Sequence, residues 1–424
     1  MRYQAVSIFI LLVSIVLSAC QPVSSSSGNI SFMVFGDPAE LAAYQTLVDS
    51  FTQSHPTIHV ELIQIPGQAD YRKRLAADLI AGDPADVVLI NYRRYAAFAN
   101  LGALEPLGRY LENSQLLKQE DFYPEAIKPF IWNGELMCIP QNISSLVVYY
   151  NKDLFDQAGV AYPVEGWTWD DFLSTAQALT KDLDQDGTTD QFGVGIEPSL
   201  IRLAPFLWQA GGEVVDGEPN PSTLVLDLPE DLSAAEFLVS LQTEHHVVPD
   251  AEQEAAEDSE SRFLNGRLAM FFNSRRGVPT YRESAAFDWD VAALPQSELQ
   301  ANILHADAYC LPSASKNKDA AWAFIEFANS VEGQTIIART GRTVPSLISV
   351  ANSPEFLDPN VKPANSRVFL DVIPTIRALP VHPNWAEIED IASEELALAF
   401  YGEIAVQDAM QRAILRTREY FEGN

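Results

Sequence analysis

Apolar and polar positions along this chain switch repeatedly between the compact run of a strand and the spacing of a helix. Residues 30–35 (ISFMVF) form an apolar run that stops at Gly36-Asp37-Pro38, the pattern of a strand closed by a turn. The next stretch, PAELAAYQTLVDSFTQSH, places Leu41, Tyr44, Leu47, Val48 and Phe51 at helical spacing, which predicts a helix with one apolar face. A strand over 58–65 follows, then a helix in YRKRLAADLIAGD. A strand over 86–90 and a helix over 93–100, stopped by Gly102, complete the opening. Strands alternating with helices predict α/β layering around a largely parallel sheet.

The pattern changes over 132–155 (WNGELMCIPQNISSLVVYYNKDLF), where two apolar strands flank the polar stretch 141–145. Beyond it the chain becomes helix-rich. Thr168 is placed to cap the helix DDFLSTAQALTK, with Asp170 and Asp171 in the first turn, where the helix dipole favours negative charge. Strand, loop and helix return in that order in ADAYCLPSASKNKDAAWAFIEFANS. The C-terminal third reads as helical, with Trp385 opening a long run that ends near Phe421. At 424 residues, 47% of them hydrophobic, the chain can fill two cores, so two domains or two lobes are expected.

The first residues stand outside this pattern. Arg2 precedes an apolar run over 6–17, too short for the roughly 20 residues that span a bilayer. The run ends in Leu17-Ser18-Ala19-Cys20, which resembles the lipobox of bacterial lipoproteins. That resemblance implies a signal peptide over 1–19, cleavage before Cys20 and lipids on its thiol and amine. Residues 21–28 (QPVSSSSG) then have the composition of a flexible tether. The mature protein is expected outside the cytoplasmic membrane, held by lipid and otherwise soluble.

Charge excludes one class of partner. With 58 acids against 27 bases the formal charge is −31, the reverse of the basic footprint that nucleic acids or anionic membrane surfaces need. The stretch 250–261 carries acids and no base, and reads as a solvated helix face or loop. Enzyme motifs are missing: no G-x-S-x-G, no H-E-x-x-H and no phosphate-binding P-loop occurs, and the six histidines are scattered. No catalytic cofactor is expected. Two carboxylates suffice for glycoside hydrolysis, so an acidic chain leaves that chemistry open.

Several stretches together resemble the extracellular solute-binding proteins of ABC transporters, the carbohydrate-binding group that includes maltose-binding protein. They are FMVFGDPAELAAYQTLVDSFTQSHPTIHVEL, GDPADVVLINYRRYAAFANLGALEPL, WNGELMCIPQNISSLVVYYNKDLFDQAG, GWTWDDF, DQDGTTDQFGV, LWQAGGEVVD, FLNGRLAMFF and SKNKDAAWAFIEFANSVEGQ, covering nearly all of the mature chain. The resemblance implies a periplasmic-binding-protein-like fold. Two α/β lobes are joined by a hinge of crossing strands, with the ligand in the cleft between them. Residues 29–141 with about 311–355 would form the first lobe, and 142–310 with about 356–424 the second. The strand into Pro140-Gln141-Asn142 and the strand through Tyr309-Cys310 would be crossings. Cys138 and Cys310, which otherwise read as two buried thiols, then lie on hinge strands and are expected to form a disulfide.

The resemblance also nominates a site. Sugars need aromatic faces for their C–H patches and planar polar groups for their hydroxyls. Gly36, Asp37, Asn91 and Tyr92 follow strands whose carboxyl ends face the cleft of an open α/β sheet. Asn142 and Ser144 lie on a crossing. Asn273 and Arg275 follow an apolar strand, and Asp307 precedes another. Trp208 and Trp385 stand where relatives often place cleft aromatics, whereas Trp169 and Trp322 are expected in cores. Tyr149-Tyr150 resembles the tyrosine pair of ferric-ion binders, but strand alternation would bury one ring and expose the other. The implied protein is a lipid-anchored monomer that captures a mono- or oligosaccharide and passes it to ABC permease subunits. Other solutes (glycerol phosphate, a polyamine, a peptide), a glycan-active enzyme and a sensor lipoprotein are the alternatives. A phosphate would need convergent bases or helix N-termini, which Arg275, Arg276 and Arg342 leave open.

One motif belongs to none of this. DLDQDGTTDQFG, 182–193, matches a calcium loop with Asp182, Asp184, Asp186, the Thr188 carbonyl and Asp190 as ligands and Gly187 at the sharp turn. The last position, normally a bidentate Glu, is Gly193. A structural calcium ion in the second lobe is the expectation, and a metal-free Asp/Gly turn is the alternative.

Overall fold

The structure is a computed structural model that describes residues 28–36 and 38–422. Cys20 and Asp37 lie outside the described residues. The strands of the two main sheets are, in chain order, β1 (Gly28–Phe35), β2 (Ile58–Ile65), β3 (Val87–Asn91), β4 (Cys138–Pro140), β5 (Val147–Asn151), β6 (Phe192–Gly195), β7 (Leu268–Asn273), β8 (Trp289–Ala292) and β9 (Asp307–Cys310).

The first sheet has the order β2-β1-β3-β9-β4, and β1 pairs in parallel with both β2 and β3. The helix Pro38–Ser54 buries Ala43, Tyr44, Leu47, Val48 and Phe51 at three- and four-residue spacing beneath it. Each large side chain so buried contributes about 1.5–3 kcal/mol. Leu41 is only half-buried, and Glu40 is drawn into the buried row instead.

Parallel pairing does not extend further, which corrects the expected sheet. β9 runs antiparallel to both β3 and β4. The second sheet, in the order β8-β5-β7-β6, is antiparallel except at β6–β7. The crossings explain the reversal. The chain leaves the first sheet through β4 and returns through β9, so these neighbours traverse the hinge in opposite senses.

Two apolar clusters result. One fills the first lobe and continues onto one face of the second sheet through Tyr149, Phe271 and Trp289. The other packs the opposite face, with Val148, Tyr150, Met270 and Phe272, against the helices Leu200–Gln209, Trp385–Phe400 and Val406–Phe421. Tyr149 and Tyr150 therefore point to opposite sides, but neither ring is exposed, because an apolar cluster covers each face of the sheet. The Tyr149 hydroxyl donates to the Ser274 carbonyl at 2.9 Å, while Tyr150 packs on Phe155 and Tyr162.

The hinge is a set of segments laced together by backbone and amide groups. Ser144 and His305 exchange backbone hydrogen bonds at 2.9 and 2.8 Å. Asn302 clamps Leu146, donating to its carbonyl at 2.9 Å and accepting from its N–H at 3.2 Å. A third segment joins where Asn302 and Ile303 pair in parallel with Ile376 and Arg377. At the first-lobe end, Cys138 and Cys310 face each other across β4 and β9 and form the expected disulfide. Closing a loop with a sequence separation of 172 contributes about 3–5 kcal/mol in the chain-entropy picture.

Candidate functional site

Between the lobes lies a cavity of about 1030 Å³ whose walls come from both of them and from the crossings. Asn91, Asn142, Ser144, Asn273 and Asp307, five of the residues nominated from sequence, line it together. Asn91 ends β3 and donates to the Asp307 carboxylate at 3.1 Å. The Asn142 side chain holds the hinge, accepting from the Asp307 N–H at 2.9 Å and donating to the His305 carbonyl at 3.0 Å. Asn273 donates to the Tyr281 hydroxyl at 2.6 Å. Burial pushes the Asp307 carboxyl up, against the Asn91 hydrogen bond and the nearby arginines.

The other described nominees do not line the cavity. Gly36 backs it, with its carbonyl accepting from Gln64 at 2.7 Å. Its φ of +132°, and the Glu40 carboxylate that a Cβ there would strike, admit only glycine. Tyr92 is fully buried and its hydroxyl accepts from the Leu379 N–H at 3.1 Å. Trp208 and Trp385 belong to the second-lobe core, with Arg377 over the Trp208 ring at 4.7 Å. Arg275 is 1% exposed and packs over Phe356 and Phe369 at 4.2 and 4.9 Å. Its neighbour Arg276 faces the cavity instead. No tryptophan is among the cavity residues, so the expected stacking platforms become core packing.

What replaces them is charge. In a chain with 27 bases against 58 acids, Arg72, Lys73, Arg93, Arg94, Arg202, Arg276 and Arg342 all line the cavity. Several are held by acids: Arg93 and Arg94 by Glu389, Arg94 also by Asp390 at 3.4 Å, Arg202 by Glu197 at 3.3 Å, and Arg342 by Glu40. Burial lifts the Glu40 carboxyl to about 7, although Arg342 beside it pulls the other way. The His305 imidazole is pushed well below its ordinary range by burial, then by Arg202, Arg93 and Arg276, so it is neutral at neutral pH. At the floor, Gln141 donates to the Tyr309 and Tyr44 hydroxyls at 2.7 and 3.0 Å.

Arg276 and Arg342, raised from sequence only as bases for a phosphate, line the cavity, and so do Glu40, Gln141, Ser199, Arg202, Glu260 and His305, which were not singled out. Of these six, only Glu40 carried a usable signal, because it extends the row of Tyr44, Leu47 and Phe51 and puts a carboxyl on a buried stripe. Glu260 corrects the reading of 250–261 as plain solvated surface. It lines the cavity and accepts from the Tyr281 hydroxyl at 2.7 Å.

The acidic loop lies away from this cavity. Asp182, Asp184 and Asp190 bring carboxylate oxygens within 4.8 Å of one another, while Asp186 stands outside that group and accepts from the Thr188 N–H at 2.7 Å. Asp182 also accepts from the Gln185 and Gly187 N–H groups at 2.7 and 2.8 Å. Three of the expected ligands therefore come together, against the six to eight oxygens, roughly, that calcium takes. Gly193 cannot add one: a Cβ there would sit 2.1 Å from the Ala176 carbonyl oxygen.

Residues 36–335 match the family described as bacterial extracellular solute-binding protein. The maltotriose-binding protein of Pyrococcus abyssi is 23% identical over 342 residues, spanning 79% of this chain and 70% of that protein. The galactooligosaccharide-binding protein of Bacillus subtilis is 23% identical over 367 residues, 83% and 82% of the two chains. Among solved structures, an ABC substrate-binding protein of Listeria monocytogenes in complex with cycloalternan has a TM-score of 0.86 at 23% identity, covering 94% of this chain and 100% of the other. UgpB of Mycobacterium tuberculosis with glycerophosphocholine has a TM-score of 0.81 at 23% identity, covering 93% and 99%. No helix of the described residues is long and apolar enough to cross a membrane. With its two lobes, laced hinge and interlobe cavity, the chain belongs to the bacterial extracellular solute-binding protein family, which places it outside the cytoplasm.

Proposed function

We propose that this protein is the receptor of an ABC transporter, capturing a carbohydrate between its lobes and presenting the closed form to the permease. The cavity carries this reading, because amide, hydroxyl and charged groups from both lobes and from the crossings converge on one space of sugar size. A ligand that touches both walls binds the closed form better than the open one, and so shifts the hinge equilibrium toward closure. The names of the relatives support the class: maltotriose, galactooligosaccharide and mannitol are the ligands in them. The protein performs no chemistry on the solute in this reading, and ATP hydrolysis belongs to its partners.

The lipobox adds an anchor at Cys20, and the spacing of 182–190 a structural calcium ion. Thermal unfolding in the presence of mono- and oligosaccharides tests the central claim. A true ligand raises the melting temperature and is recovered unchanged; release of smaller sugars identifies an enzyme instead. Replacing Cys20 by Ala should move the protein from the membrane to the soluble fraction.

A further inference from the structure

One wall of the cavity is short of partners. The helix Leu200–Gln209 brings Ser199, Ile201 and Arg202, its first turn, onto that wall. Of its first-turn N–H groups, that of Leu200 donates to the Ser393 hydroxyl and that of Arg202 to the Ser199 carbonyl, each at 3.0 Å, and the turn carries the helix's positive end. Ser199 holds the extended backbone of an N-cap, φ −148° and ψ 157°, yet its side chain makes no capping hydrogen bond. It is 9% exposed, and its hydroxyl oxygen is buried with no partner at all.

Two neighbours repeat the deficit. The Arg202 Nε is buried without a partner, although another nitrogen of the same group reaches Glu197 at 3.3 Å. The His305 Nε2, on the same cavity, is buried without a partner too. Arg276 follows β7 into the cavity and makes neither an ion pair nor a hydrogen bond among the described residues. Arg93 and Arg276 both act on the Arg202 guanidinium to lower its pKa, so these cations share one neighbourhood. Among the acids around them, Glu389 holds Arg93 through Oε1 while its Oε2 is buried without a hydrogen-bond partner, Glu40 holds Arg342, and Glu260 accepts from Tyr281.

We propose that this wall is an anion subsite, which takes a phosphate or carboxylate group borne by the solute. The Ser199 hydroxyl supplies a neutral donor beside the helix's positive end, Arg202 and Arg276 supply charge, and the neutral His305 ring offers a further polar atom. The transported carbohydrate is therefore an acidic one, a sugar phosphate or a sugar acid. Unmet donors, costly in a buried site, are completed when the anion arrives. This rests on the carbohydrate-receptor reading for the rest of the ligand, but not for the anion itself.

Calorimetry on the mature protein with matched probes separates the two. Glucose, glucose 6-phosphate, glucuronate, glycerol, glycerol 3-phosphate and inorganic phosphate are titrated at low and high salt. The expected result is that the acidic member of a series binds at least tenfold tighter than its neutral parent, and that Arg276→Gln brings it down to the parent's affinity. Ser199→Ala narrows the gap, and salt erodes it. Phosphate against carboxylate preference then identifies the source of the charge. Parents that bind as tightly as their acidic counterparts, or an Arg276→Gln protein that keeps the wild-type ratio, overturn the subsite. If no carbohydrate binds but inorganic phosphate binds the wild type and not Arg276→Gln, the carbohydrate reading fails and the subsite stands. If phosphate also fails to bind, both fall. Arg276 is exposed, so the unliganded melting temperature of its variant should match wild type and exclude misfolding.

Discussion

The acidic loop and the cleft both concentrate charge, but they are fastened in opposite ways. In the loop, Asp182, Asp184, Asp186 and Asp190 accept from backbone N–H groups two to seven residues away. In the cleft, Glu40 meets Arg342 across 302 residues and Arg93 meets Glu389 across 296, and in the hinge strands beside it Cys138 meets Cys310 across 172. Short-range fastening on the surface is cheap to lose, because water replaces it. Long-range fastening in a buried place is costly to lose, since the abandoned partner stays where it is.

The sharpest test of that difference is Arg342→Ala. It removes the guanidinium that faces the buried Glu40 carboxyl, and should cost about 3–5 kcal/mol in urea unfolding at pH 8. At pH 5 the loss should be smaller, because the buried carboxyl takes up a proton. An equal, small loss at both values would make the cleft pair no stronger than a surface contact. Replacing both Cys138 and Cys310 by Ala removes the other long-range fastener, and should cost about 2–5 kcal/mol in the same assay.

Acidity itself gives the next effect. Glu40 has a folded pKa of about 7 against 4.5 for the free group, so between these values the folded state binds more protons than the unfolded one. Its contribution to stability is full below pH 4.5 and is lost as pH rises through 7. The shift corresponds to about 3 kcal/mol. Unfolding free energies at pH 5 and pH 8 should therefore diverge in the wild type by more than in Glu40→Gln, whose amide does not titrate. Identical slopes would show that Glu40 stays ionised throughout.

The same contrast explains what the sequence disclosed. Elements whose causes are local were legible: the apolar row of Pro38–Ser54, the Thr168 cap with its Asp171 partner, and the strand Ile58–Ile65. The disulfide was legible only through family resemblance, because nothing near Cys138 names Cys310. The site was half legible. Asn91, Asn142, Ser144, Asn273 and Asp307 sit at strand ends or on crossings, positions that the fold class predicts. Trp208 and Trp385 were misjudged because an aromatic beside glycine or proline looks alike whether it faces a cleft or a core. Arg275 missed by one residue: at the turn after β7, Arg275 goes inward under Phe369 and its neighbour meets the cavity. Such a choice depends on which face the opposing chain covers, and that chain is some 90 residues away, at Ser366.

The smallest effect should come from the loop. Asp182→Ala deletes the acceptor for Gln185 and Gly187, two hydrogen bonds on an exposed surface, and in calcium-free buffer should cost about 0.5–1 kcal/mol. Millimolar calcium should then separate the proteins. An ion held by Asp182, Asp184 and Asp190 stabilises only the folded state, raising the wild-type melting temperature in a saturable way and leaving Asp182→Ala unmoved. If calcium and chelator leave the wild type at one temperature, the loop is a turn held by its own backbone. The contrast with the cleft would then be complete, because all of the loop's charge would be serving local hydrogen bonds.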